Sequence, residues 1–200
     1  MQIAVFGNFG VQNFGDDLIL KAHMLRARKE HAKLVVFCGN PDEVRKSFRL
    51  KAYPFFPSGI RSWMQFLTDR SYRKNLRDGY AVLKASDRIE LGGGGLLVDR
   101  RLKSVLLWYQ QLRKIARTKR PFRFVANSFE LRHRVSRRFF LPYLKQADTI
   151  SVRDSGSRDF IQSLGIPAEL TADLSELVPL RIKRPEIPQK MIAVSLCRWG

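Results

Sequence analysis

Residues 3–28 read Ile3-Ala4-Val5-Phe6-Gly7-Asn8-Phe9-Gly10-Val11-Gln12-Asn13-Phe14-Gly15-Asp16-Asp17-Leu18-Ile19-Leu20-Lys21-Ala22-His23-Met24-Leu25-Arg26-Ala27-Arg28. A short apolar run, Ile3 to Phe6, stops at Gly7, and from Asp16 to Arg28 the residues Leu18, Ile19, Ala22 and Leu25 fall on one helical face. This predicts strand, glycine-rich loop, helix. Leu34 to Cys38 is a second apolar run, closed by the turn residues Gly39-Asn40-Pro41, so the stretch and its continuation form a βαβ unit.

The same alternation continues outward. Asp87 to Leu91 leads into the glycine run Gly92 to Gly95, read as a second loop, followed by a helix with Leu102, Val105, Leu106, Tyr109, Leu112 and Ile115. Phe122 to Ala126 and Thr149 to Val152 are further strands, Ser155 to Leu164 is a helix ended by Gly165-Ile166-Pro167, and a short strand lies near Glu169 to Thr171. Strands alternating with helices predict an α/β fold with a doubly wound parallel sheet. The expected domain covers residues 1–174. Residues 175–190, with Pro179, Pro185 and Pro188, read as a linker, and residues 191–200 as the first strand of a truncated second domain.

Composition narrows the function classes. Apolar residues make up 44% and charged residues 28% of the 200, which suits a folded globular chain. No apolar run approaches the ~18 residues of a membrane span, and the N-terminus has no signal-peptide pattern, so a cytoplasmic protein is expected. The two cysteines, Cys38 and Cys197, suggest neither a disulfide framework nor a metal cluster. Against this ordinary background stands a net charge of +19, from 37 Lys+Arg and 18 Asp+Glu. The excess is concentrated in Arg61–Lys84, Arg100–Arg123 and Arg132–Lys145, read as amphipathic helices with basic outer faces. Such faces suit nucleic acid, anionic lipid, an anionic substrate, or solvent alone. No zinc-finger spacing, RRM motif or zipper-linked basic region favours nucleic acid.

In a doubly wound sheet, ligands bind outside the carboxyl ends of the strands, where the glycine segments fall. The segment Gly7 to Asp17 lacks G-x-G-x-x-G, and no acidic residue closes the second strand to hold a ribose, which disfavours NAD. Gly92 to Gly95 is followed by Leu-Leu-Val-Asp rather than Lys-Ser/Thr, which disfavours a Walker ATPase. The glycines bring backbone amides close to a ligand or permit tight helix-to-strand packing. Asp16 and Asp17 serve a site or cap a helix. Arg153, in Ser151-Val152-Arg153-Asp154-Ser155, binds an anion or pairs with Asp154 or another carboxylate. Asp173 lines a cleft or ends a turn. His23, His31 and His133 have no ligand spacing, and no Ser-His-Asp order or G-x-S-x-G elbow occurs.

Taken in order, GNFGVQNFGDDLILKA, ELGGGGLLVD, ISVRDSGSRDFIQSLGIPAELTADLSELVP and MIAVSLCRWG resemble the polysaccharide pyruvyl transferase family over nearly all 200 residues. The resemblance implies the N-terminal, Rossmann-like domain of a two-domain fold similar to B-type glycosyltransferases. It also implies transfer of the enolpyruvyl unit of phosphoenolpyruvate onto two sugar hydroxyls as a ketal, with release of phosphate and no cofactor or metal. The acceptor would be a cell-surface polysaccharide or a lipid-linked precursor, which adds peripheral contact with an anionic membrane. Arg153 matches the family's V-R-D arginine and is expected to bind the donor. Asn13, Gly15 and Asp16 match N-x-G-D, with Asp16 as a catalytic base on the acceptor side. Gly93, Gly94 and Asp99 match the glycine run and its aspartate and are expected to shape the substrate cleft, with Asp173 beside it. Ala126 to Leu131 stands where the family carries a G-Q-G-I-G-P-like loop. Because the family draws a histidine and basic residues from its second domain, the 200-residue chain alone is expected to be catalytically incomplete. The rival readings are a nucleotide-sugar glycosyltransferase of the same fold and a non-catalytic basic module for nucleic acid or anionic polymer.

Overall fold

The computed structural model describes residues 1–179. Seven parallel strands form one sheet in the order β3-β2-β1-β4-β5-β6-β7. They are β1 (Gln2–Phe6), β2 (Lys33–Cys38), β3 (Lys51–Pro54), β4 (Arg88–Val98), β5 (Phe122–Glu130), β6 (Thr149–Val152) and β7 (Glu169–Leu170). The helices are α1 (Phe14–Lys29), α2 (Pro41–Phe48), α3 (Ile60–Thr68), α4 (Arg70–Ala85), α5 (Leu102–Ala116), α6 (Arg134–Gln146) and α7 (Ser155–Ser163).

The expected doubly wound α/β architecture is the one observed, because side chains alternate across each strand and both faces find helices. On one side Val5 and Val36 pack with Ile19 and Leu20 of α1 and Val44 of α2. On the other, Phe6, Phe37, Leu91 and Phe124 pack with Leu83 of α4, Trp108 and Leu112 of α5, and Phe140 and Leu144 of α6. Phe6 stacks on Phe37 at 4.5 Å, and Phe37 on Tyr53 at 5.7 Å, which carries the aromatic layer to the sheet edge. Strands buried on both faces read as continuous apolar runs, as β1 and β2 do.

The structure corrects the reading at four places. β3 and α2 had not been anticipated. The basic segment Arg61–Lys84 is two helices, broken at Asp69, whose carboxylate accepts from Tyr72 N at 3.0 Å and caps α4. Gly92 to Gly95 is not a loop: β4 runs through it, and its register against β5 shifts between Gly94 and Leu97. Ala126 to Glu130 likewise belongs to β5, which continues past a second register shift, with Ala126 at φ 49°.

Close packing of α1 accounts for the glycines. A Cβ on Gly92 would lie 1.9 Å from His23 Nε2, and one on Gly93, at φ 66°, would lie 2.4 Å from Ile19 Cγ2. Helix α1 therefore rests directly on the β4 backbone.

Leu174–Leu177 forms a 3-10 turn with Leu174 buried in the α1-side core and Val178 packed against it, so the start of the segment read as a linker remains attached to this domain. The remainder of that linker and the strand expected from residue 191 lie outside the described residues.

Candidate functional site

Strand order reverses between β1 and β4, and the crevice at their carboxyl ends is where such sheets hold ligands. Asn13 ends the loop from β1, and its side chain accepts from Gly15 N at 3.0 Å, capping α1. Gly15 contributes this amide at an exposed position. One residue on, the Asp16 carboxylate comes within 3.8 Å of the place a Gly94 Cβ would occupy. Burial raises the pKa of Asp16 and the neighbouring Asp17 charge adds to the rise, while an Asn13 hydrogen bond and the Arg153 charge oppose it. The N-x-G-D element, the glycine run and the V-R-D arginine thus meet at one edge.

Arg153 follows β6. Its Nε donates to Ser128 Oγ at 2.8 Å and its Nη1 to Asp173 Oδ2 at 2.6 Å. Asp173 also accepts from Ser175 N at 2.9 Å and Ser175 Oγ at 2.7 Å. The arginine's hydrogen-bonded ion pair is with Asp173, while its sequence neighbour Asp154 caps α7 through Ser157 N at 2.7 Å and accepts from Ser128 Oγ at 2.7 Å. Burial alone would raise both Asp154 and Asp173. In each case the hydrogen bonds, together with the Arg153 charge, outweigh burial and hold the carboxyl below its ordinary value.

Asp99 stands apart from this group. It is buried, and its carboxylate accepts from the backbone of Arg132 at 3.0 Å and His133 at 2.8 Å at the entrance to α6. Those bonds outweigh burial and lower its pKa. Gly93 lies beneath Ile19 as a packing contact. Of Asp16, Asp154 and Asp173 at this edge, only Asp16 is shifted upward.

Several residues that the sequence did not single out complete the site. Gly95, Ser104 and Ser128, with Arg100, Arg101 and Arg153, line an open cleft of about 550 Å³. Arg100 pairs with Glu130 at 2.8 Å across its rim. Helix α5 begins at this cleft with no side-chain cap, so its first-turn amides and dipole favour an anion there. Asn127, paired with Gly94 across the strands, donates to Leu91 O at 2.7 Å and leaves a buried Oδ1 without a partner among the described residues. Serine and asparagine in a strand give no sequence signal. The one hint was that Ala126 to Leu131 departs from the family pattern.

No group of three or more His, Cys, Asp or Glu side chains among the described residues is arranged to hold a metal ion. The Cys38 thiol is buried, and burial pushes its pKa up to about 12, far from a reactive thiolate. No described helix is long and apolar enough to cross a membrane.

Comparison with known proteins follows this geometry. The chain is similar in structure to Anabaena Alr3699/HepE, solved in complex with UDP, with a TM-score of 0.52 and 10% identity over 86% of this chain and 44% of that one. It therefore spans less than half the length of that protein, and the likeness is one of fold. No curated protein sequence matches the chain. The sequence profile for polysaccharide pyruvyl transferase matches residues 13–195, which include the N-x-G-D, glycine-run and V-R-D elements, and the chain belongs to the polysaccharide pyruvyl transferase family.

Proposed function

We propose that the full-length protein transfers the pyruvyl unit of phosphoenolpyruvate to two hydroxyls of a sugar in a cell-surface polysaccharide or its lipid-linked precursor, in the cytoplasm. The observation that carries this reading is that the Asp16 carboxylate lies against Gly94 while Arg153 lines the cleft with the adjoining Gly95, in a chain of this family.

In the reaction C3 of the donor gains a proton and becomes a methyl group, and C2 takes on oxocarbenium character. Each sugar oxygen forms a bond to C2, while the bond from C2 to the phosphate oxygen breaks. Of the two hydroxyl protons, one balances the new methyl and the other leaves with inorganic phosphate. Phosphoenolpyruvate supplies the driving force, so no cofactor enters the scheme. Arg153 presents a planar fork to the donor's carboxylate or phosphate, with Arg100, Arg101 and the start of α5 adding positive potential. Asp16, its pKa raised by burial, accepts a proton from the attacking hydroxyl, and Asn13 orients it. Gly94 leaves room for the acceptor beside that carboxylate.

Acceptor-dependent phosphate release by the full-length protein, given phosphoenolpyruvate and a panel of glycans, is the test. Arg153→Ala is expected to raise the donor KM about 10- to 100-fold, and Asp16→Asn to lower kcat by at least about 100-fold. Absence of acceptor-dependent release across the panel overturns the reading. A nucleotide-sugar donor is the second reading, favoured by the UDP held in Anabaena HepE. Saturable binding of UDP-sugars with none of phosphoenolpyruvate would select it.

A further inference from the structure

Helix α3 is folded and capped at both ends yet buries no residue. At its start Ser62 Oγ accepts from Ser58 N and Gly59 N, both at 3.1 Å. At its end Arg73 Nη1, reaching back from α4, donates to Phe66 O at 3.1 Å and also to Leu67 O. Phe66 faces inward against the core. The outward stripe is Ile60, Trp63, Met64 and Leu67, at spacing i, i+3, i+4 and i+7, exposed by 81%, 47%, 60% and 70%. A surface helix usually turns that stripe to the core; this one turns it to solvent.

Charge selects the occupant. Arg61 of α3 is exposed, as are Arg70, Lys74 and Arg77 on α4, which packs against α3 and brings Arg77 to the cavity that Trp63 lines. The acidic residues nearby are Asp69, which is committed to capping α4, and Asp78. The stripe borders only a small hollow of about 210 Å³, which Trp63 lines with Phe66 and Tyr80, so a deformable partner suits it better than a preformed protein socket. Apolar and indole side chains on one face, with cations beside them, are the composition of a helix lying in the headgroup layer of a bilayer.

We propose that α3 and the start of α4 form a membrane-docking surface, with Ile60, Trp63, Met64 and Leu67 entering the acyl boundary and Arg61, Arg70, Lys74 and Arg77 meeting anionic lipid headgroups. This surface is separate from the Asp16–Arg153 edge, and docking does not depend on which reaction that edge performs.

Co-sedimentation of the full-length protein with phosphatidylglycerol–phosphatidylcholine vesicles tests it, with pure phosphatidylcholine vesicles as reference. Binding is expected to anionic vesicles, to weaken as salt is raised, and to fall at least about 100-fold in Trp63→Ser/Leu67→Ser. It should also fall in Lys74→Glu/Arg77→Glu, where both residues are exposed and the melting temperature should stay at the wild-type value, and an unchanged far-UV circular dichroism spectrum shows that the Trp63→Ser/Leu67→Ser variant is folded. Failure to bind anionic vesicles, or undiminished binding by both double variants, overturns the proposal. So does a solution dimer that the Trp63→Ser/Leu67→Ser change dissociates while lipid binding is absent, which would assign the stripe to a second copy of the chain.

Discussion

Arginine meets carboxylate at two places in this domain, with opposite consequences. In the body of the sheet Glu90 of β4 receives Arg88 Nε at 3.0 Å, Arg123 Nη2 at 2.5 Å, Arg26 Nη1 at 3.5 Å and His23 Nδ1 at 3.0 Å. Its side chain is 3% exposed. At the open edge, Arg153 and Asp173 form a single pair, 32% and 26% exposed. A buried carboxylate with several donors cannot lose them without leaving an uncompensated charge, whereas a pair open to water can exchange one anion for another at small cost. Both join a carboxylate to arginine. Exposure and the number of charged partners separate the two arrangements.

The protonation states follow. Burial alone would raise Glu90, but the His23 hydrogen bond and the surrounding positive charge hold it strongly below its ordinary range. Burial lowers His23 despite Glu90. The imidazole faces Glu90 through Nδ1, and Nε2 lies over Gly92 with no hydrogen-bond partner among the described residues.

The largest effect that would break the contrast is Glu90→Gln. It should cost about 3 to 5 kcal/mol in urea unfolding, against less than about 1 kcal/mol for Asp173→Asn; equal losses would remove the distinction. The depressed pKa of Glu90 means that its stabilisation is present above the ordinary value of 4.5 and is lost only as pH falls through the folded-state value. The variant should therefore show a shallower acid limb in thermal melts.

Gly92→Ala sharpens the comparison by pressing on the histidine beside Glu90, and is expected to cost about 1 to 3 kcal/mol. His23→Ala in the same chain should recover part of it in a double-mutant cycle, and strict additivity would show that the clash lies elsewhere.

Ala126→Gly, which relieves the φ of 49° in β5, should stabilise by about 0.5 to 1 kcal/mol, read from the urea midpoint. A loss would mean that the methyl group's packing outweighs the backbone preference.

Asp16→Asn probes the open edge in the other direction. A carboxyl whose folded pKa is raised opposes folding once pH exceeds its ordinary 3.8, so the substitution should raise the melting temperature near neutral pH. The gain should vanish as pH falls toward 3.8. A neutral or destabilising result at pH 7 would mean that Asp16 contributes a cap rather than a strained site group.

What could be read beforehand was what is local. β1, α1 and β2 follow from apolar runs closed by Gly7 and Gly39, and the positions of Asp16, in the first turn of the helix after β1, and Arg153, directly after β6, follow from the same reading. β3 escaped because it is a four-residue edge strand, and α2 because it buries only Val44. The glycine run was taken for a loop because its strand character depends on α1, distant in sequence, pressing on it. Ser128, Asp173 and the arginines around Glu90 are joined by pairings that no spacing within a segment encodes. Asp99 illustrates the converse: its motif position was legible, but its bonds to the α6 entrance depend on where two separate segments meet.

The strand order also has a meaning in time. During synthesis β1 can pair with β2 once residue 38 has emerged, but its other neighbour is the stretch Arg88–Leu91 of β4. Until the ribosome has delivered that stretch, the future centre of the sheet has one bare edge, of the kind that invites pairing with another chain. Slow decoding between residues 39 and 87 should therefore lengthen the interval in which that edge stays exposed.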